Sequence, residues 1–123
     1  LHAQDLIIMH GSLRRNGEFV FSSYGYPAPL VYRRGGGLHP HRREGRGATQ
    51  SLRMQPGDIM ILCCDSFHGV LVENLASYGD LIERNHGAPL SRLRSYIVRA
   101  LSESVVDGTS DSLLVMVRME DRI

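Results

Sequence analysis

The sequence predicts an α+β fold in which antiparallel strands pack against helices, and three stretches carry that expectation. Asn16-Gly17 separates two apolar segments, and Asn-Gly supplies the positive φ angles of a tight hairpin turn. IMILCC, residues 59–64, is apolar at odd and even positions alike, as in a central strand covered on both faces. Residues 90–105, LSRLRSYIVRALSESV, gather Leu90, Leu93, Ile97, Ala100, Leu101 and Val105 on one stripe of a helix.

The elements follow in order. Residues 5–13, DLIIMHGSL, form a first strand. Residues 18–24, EFVFSSY, return antiparallel, with Glu18, Val20 and Ser22 on one face and Phe19, Phe21 and Ser23 on the other. Gly25 to Pro29 bend the chain, since proline denies ladder hydrogen bonds. LVYR, residues 30–33, is a third strand, and Gly35-Gly36-Gly37 ends it. Residues 34–50 hold four Arg, two His and five Gly without an apolar period, and read as a solvated loop. Its His39-Pro40-His41 offers two imidazoles but no third metal ligand at a matching spacing. Ser51 to Met54 make a short strand, and Pro56-Gly57-Asp58 a tight turn in which Asp58 is structural. Residues 70–85 suit a helix interrupted near Tyr78-Gly79 and stopped at Gly87. Ala88-Pro89 then start the helix over 90–105. Asp107-Gly108 turns the chain into a last buried strand, residues 112–119. The expected order is five strands, a helical region and one strand, with no repeat and no internal boundary.

The 123 residues suit one domain or part of one, and the missing initiator Met marks a segment of something longer. Apolar residues at 42% and charged residues at 22% are those of a globular protein. No apolar run approaches the roughly 18 residues of a membrane span, and the N-terminus lacks the basic region of a signal peptide. A formal net charge of +1 gives no electrostatic case for nucleic acid, although all 14 cationic residues are Arg. Cys63 and Cys64 are neighbours in a strand and point to opposite faces, which is poor geometry for a bridge. They read as reduced thiols in a cytoplasmic protein.

Three segments then occur in a telling order: SSYGYPAPLVYRRGG (22–36), LRMQPGDIMILCCDSFHGVL (52–71) and DGTSDSLLVMVRM (107–119). The first resembles a Gly- and Pro-containing stretch leading into an apolar strand that ends in Arg and Gly. The second resembles a Pro-Gly-Asp turn, a buried strand and a terminal Asp, and the third a closing Asp-rich turn with a final strand. In this order and spacing they resemble the metal-dependent type-2C (PPM) serine/threonine phosphatases, in the bacterial branch typified by the stage II sporulation phosphatase. The resemblance covers nearly all of residues 1–123 but only the C-terminal half to two-thirds of that domain. It implies a β-sandwich flanked by helices, present here as a partial domain.

The resemblance also implies chemistry. These enzymes hold two Mg²⁺ or Mn²⁺ ions with Asp carboxylates at strand ends, because hard cations want oxygen ligands, and a metal-bridged water attacks phosphorus. Asp65 matches the Asp after the central strand, and Asp111 is the acid near the closing position. Each also has a plainer reading, as a helix cap or a turn residue. The family carries Gly after the strand-end Asp where this chain has Ser66, whose Cβ is expected to crowd a tight turn. In the closing turn, Ser110-Asp111-Ser112 aligned on Arg118 sets Asp111 at the second acidic position, and a shift of one residue makes it the ligand. The N-terminal Asp-Gly motif that supplies the bridging carboxylate is not among these residues, which implies that the chain alone is inactive. Arg42, Arg43 and Arg46 are suited to grip a phosphorylated regulatory protein. The expected function is thus part of a phosphoprotein phosphatase of a bacterial regulatory switch; the alternative is a degenerate module that acts by protein contact. Half a sandwich leaves unpaired strand edges, so a homo-oligomer through an exposed edge is a further expectation.

Overall fold

The computed structural model describes residues 8–24, 28–41, 49–104 and 114–120. Asp111 and Arg42, Arg43 and Arg46 lie outside them, as does Val105 of the helical stripe.

Among the described residues the chain order is β1 (Ile8–Leu13), β2 (Glu18–Tyr24), β3 (Leu30–Arg33), β4 (Gly37–Pro40), β5 (Gln50–Arg53), β6 (Ile59–Cys63), α1 (Asp65–Glu73), α2 (Leu75–Arg84), α3 (Leu90–Ser104) and β7 (Leu114–Arg118). The strands form two antiparallel sheets, β1-β2-β5 and β4-β3-β6-β7. The β1–β2 hairpin closes at Asn16-Gly17, with Gly17 at φ +88°. A Cβ there would stand 2.5 Å from the Met54 carbonyl, so the turn admits only glycine.

Two cores sandwich the four-stranded sheet, and β6 separates them residue by residue. Ile59, Ile61 and Cys63 join Leu30, Tyr32, Leu114 and Met116 beneath the helices. Met60 points the other way and packs with Phe19, Phe21, Val31, Leu52 and Met54 between the two sheets. The double-sided apolar pattern of this strand is therefore the period-two alternation of a strand with a core on each face. Helix α3 covers the outer core with Leu93, Ile97 and Leu101, all fully buried. The result is helices on sheet on sheet, the expected sandwich architecture.

Four expectations are corrected. The solvated loop over 34–50 contains β4, which pairs with β3 through Tyr32↔Leu38 and Val31↔His39. Only Leu38 of its four residues is buried, so there is no apolar period to detect. Its turn relies on Gly35 and Gly37, both at positive φ. The apolar strand ends at Cys63 rather than residue 64, and Cys64 is the N-cap of α1. Helix begins at Asp65, five residues before the expected start, and buries Phe67 and Leu71 at i and i+4. The interruption falls at Asn74 (φ −134°, ψ 39°), not at Tyr78-Gly79, and the Asn74 side-chain Nδ2 donates to the Val70 carbonyl at 2.8 Å. Tyr78 and Gly79 are instead buried on the inner side of α2. A Cβ on Gly79 would come within 3.3 Å of the Leu38 amide, so this glycine lets the helix lie against β4.

Candidate functional site

The strand registers bring several chain segments to one end of the four-stranded sheet. Leu30 opens β3 opposite both Ile61 and Pro40, and Leu114 opens β7 opposite Cys63. The exits of β4 and β6 and the entries of β3 and β7 are therefore neighbours. Asp65 leaves β6 at this end. His41, whose amide donates to the Pro29 carbonyl at 2.8 Å, leaves β4 there, and Arg42 is the next residue in the chain.

Asp65 is exposed and stands at the first position of α1, where a carboxylate meets the partial positive charge of the helix N-terminus. Its side chain makes no cap hydrogen bond. Among the described residues it has neither a hydrogen-bond nor an ion-pair partner, so the helix does not depend on its oxygens. Ser66 does not crowd a turn as expected. It lies inside α1, its Oγ 3.4 Å from the Cys64 Sγ, and among the described residues only glycines have positive φ. A Cβ is accommodated there without strain.

One turn further on, His68 is half-buried and its Nε2 has no hydrogen-bond partner among the described residues. Burial pushes its pKa below the usual imidazole value, against the opposing effects of a hydrogen bond with the Ala28 backbone and the nearby Asp65 charge. The Cys63 thiol beside this end is pushed up to about 12, by burial first and then by Cys64 and Asp65, so it is inert as a nucleophile at neutral pH. Cys63 and Cys64 are both thiols outside any disulfide.

Asp58 closes the opposite end of β6 and is structural, as its turn suggests. It is 3% exposed, and its carboxylate accepts from Arg33 Nη1 at 2.6 Å, the Gln55 amide at 2.8 Å and the Arg34 amide at 3.3 Å.

Metal ligation places a sharper demand on the site. Among the described residues no three His, Cys, Asp or Glu side chains are grouped so as to hold an ion. Asp65 by itself does not fit a two-ion centre, since each hard divalent ion takes about six oxygens. The arrangement presents one unengaged carboxylate at a sheet end where several chain segments meet.

Two antiparallel sheets stacked face to face beneath helices, with a strand-end aspartate, define the class: the chain has the fold of type-2C phosphatase domains. Solved structures of that fold align with it closely. The RsbU and RsbW domains of Rv1364c from Mycobacterium tuberculosis superpose with a TM-score of 0.73 at 23% identity, over 95% of this chain and 37% of that one. The phosphatase domain of the cell fate determinant SpoIIE from Bacillus subtilis matches over 100% of this chain. Its Mn-presoaked form gives a TM-score of 0.60 at 17% identity, covering 62% of that chain. A second SpoIIE structure gives 0.66 at 13% identity, covering 61%. This chain thus spans 37% to 62% of the length of these structures. No family model matches the chain, and no curated protein does.

Proposed function

We propose that the chain is part of a metal-dependent serine/threonine phosphoprotein phosphatase domain acting in a bacterial regulatory switch. The observation that supports it is the convergence at one sheet end. Asp65 leaves β6 there, residue 42 of the Arg-rich segment follows His41 there, and Asp111 is three residues from Leu114. Three residues are a tether of at most about 11 Å. Asp65 and Asp111 are the carboxylates this chain offers to a divalent ion, Mn²⁺ or Mg²⁺, and the remaining oxygen ligands must come from elsewhere in the protein. Arg42, Arg43 and Arg46 supply guanidinium forks for the phosphorylated protein substrate. Two neighbouring cysteine thiols outside any disulfide support a cytoplasmic setting.

The full-length protein is expected to release phosphate from a phosphoserine peptide only with Mn²⁺ or Mg²⁺ present, and Asp65→Asn to abolish that release. The 123-residue chain alone is expected to stay at background. Full metal-dependent turnover surviving Asp65→Asn removes Asp65 from the site. Robust turnover by the 123-residue chain removes the need for further ligands.

A second reading, a module that binds its partner without hydrolysis, is favoured by Ser66 and by the Ser110-Asp111-Ser112 turn, which depart from the pattern that the resemblance implies. Metal-independent binding of the phosphoprotein by an inactive full-length protein selects it. For oligomerisation we propose edge strand β7, paired only with β6 among the described strands and carrying the exposed Val115. Light scattering at twice the chain mass supports a dimer, and a monomer mass rules it out.

A further inference from the structure

The other end of the same sheet carries a second concave feature, made of different chemistry. Arg34 follows β3, Gly57 precedes β6, His86 and Gly87 join α2 to α3, and Arg118 ends β7 beside Glu120. Together with Met119 these six line a pocket of about 280 Å³. Its walls hold two guanidinium groups and one imidazole against a single carboxylate.

Arg118 and His86 are held in place by hydrogen bonds, and Arg34 stands exposed at the rim. Arg118 is largely buried, with Nη1 donating to the Ala88 carbonyl at 3.0 Å and Nε to Glu120 Oε1 at 2.9 Å. These bonds leave Nη2 uncommitted among the described residues. His86 Nε2 is 3.1 Å from the Gly57 carbonyl, which can only accept, so Nε2 carries the proton; Nδ1 is then an acceptor and donates to an anion only when the ring takes a second proton. The Tyr32 ring, 6.0 Å away centroid to centroid, backs the imidazole. The Arg34 side chain lies over Gly57, so close that a Cβ there would meet its Cδ at 2.8 Å. Gly57 also sits at φ +90°, which fixes the turn beneath it. The Arg34 guanidinium has no hydrogen-bond or ion-pair partner among the described residues.

Glu120 offsets part of this charge, but it is 72% exposed and its pairing with Arg118 is a surface ion pair of small strength. An incoming dianion can displace it. Guanidinium forks and an imidazole supplied by separate chain segments suit a tripodal oxyanion better than a planar carboxylate.

We infer that this pocket is an anion site that takes a single phosphoryl group, either as free phosphate or as the phosphate of a modified protein side chain. It lies at the sheet end opposite Asp65 and does not rest on the phosphatase reading.

Titration calorimetry of the full-length protein tests it, in metal-free buffer at constant ionic strength, first with inorganic phosphate and then with a phosphoserine peptide. Saturable binding of at least one is expected. Arg34→Gln should weaken it about five-fold or more and Arg34→Glu should abolish it, as loss and then reversal of a charge partner demand. Thermal unfolding of both variants should match the parent. Equal binding of the two ligands assigns the site to the phosphoryl group itself, peptide alone assigns it to a modified protein, and phosphate alone to the free anion. Absence of saturable binding by either, or binding that Arg34→Glu leaves intact, overturns the inference.

Discussion

The two ends of strand β6 each carry an aspartate, and the fold treats the two oppositely. Asp58 is buried and accepts from Arg33, from Gln55 and from the Arg34 backbone. Asp65 is exposed at the start of α1 and accepts from nothing among the described residues. A carboxylate that has been taken from water and fully paired is part of the architecture. One that is left outside, on a rigid strand-to-helix junction, is available for work. Position in the fold, more than residue type, separates structural acids from candidate ligands.

Removing the carboxylates should reveal this difference most strongly. Asp58→Ala leaves the Arg33 guanidinium and two backbone amides without their acceptor, and should lower unfolding stability by about 2–3 kcal/mol. Asp65→Asn should change it by no more than about 0.5 kcal/mol, as for a surface position outside any network. Urea unfolding of the two variants side by side measures both. Equal losses would break the contrast and make Asp65 a structural cap after all.

A smaller effect separates the ends by pH. The pKa of His68, near Asp65, is lowered from 6.5 by burial. The unfolded chain therefore binds more protons than the folded one in the region below 6.5, and stability rises with pH there. This contribution is complete above the unfolded value and is lost as the pH falls through it towards the folded value. His68→Asn should flatten the stability profile below about pH 7. An unaltered slope in unfolding experiments across that range would show that His68 is solvated.

The sequence disclosed the elements whose burial is periodic. β6 alternates between two cores, and α3 repeats Leu93, Ile97 and Leu101 at helical spacing, so both could be read from apolar spacing alone. β4 was hidden because one buried leucine in four residues makes no pattern, and its pairing depends on a partner strand. The start of α1 was hidden for a similar reason: Ser66, His68 and Gly69 surround its two inward residues, Phe67 and Leu71. Gly79 looked like a helix break because its close approach to Leu38 is a tertiary fact. Asp65 stood out through its place after a buried strand. The basic pocket did not, because Arg34, His86 and Arg118 come together only when β3, β7 and the α2–α3 connection are assembled.

The placement of β6 between two cores also constrains how this chain can diverge. Inserting or deleting one residue in the strand would turn Met60 and Leu62 towards the helices and Ile59 and Ile61 towards the second sheet, so both interiors would be mismatched at once. Lineages of this chain should therefore change β6 by substitution and conserve its length. The β3–β4 turn is restricted in a different way: an added Cβ at Gly35 meets nothing within 4 Å, yet its φ of +76° keeps the position for glycine, so the limit there is backbone conformation and not packing.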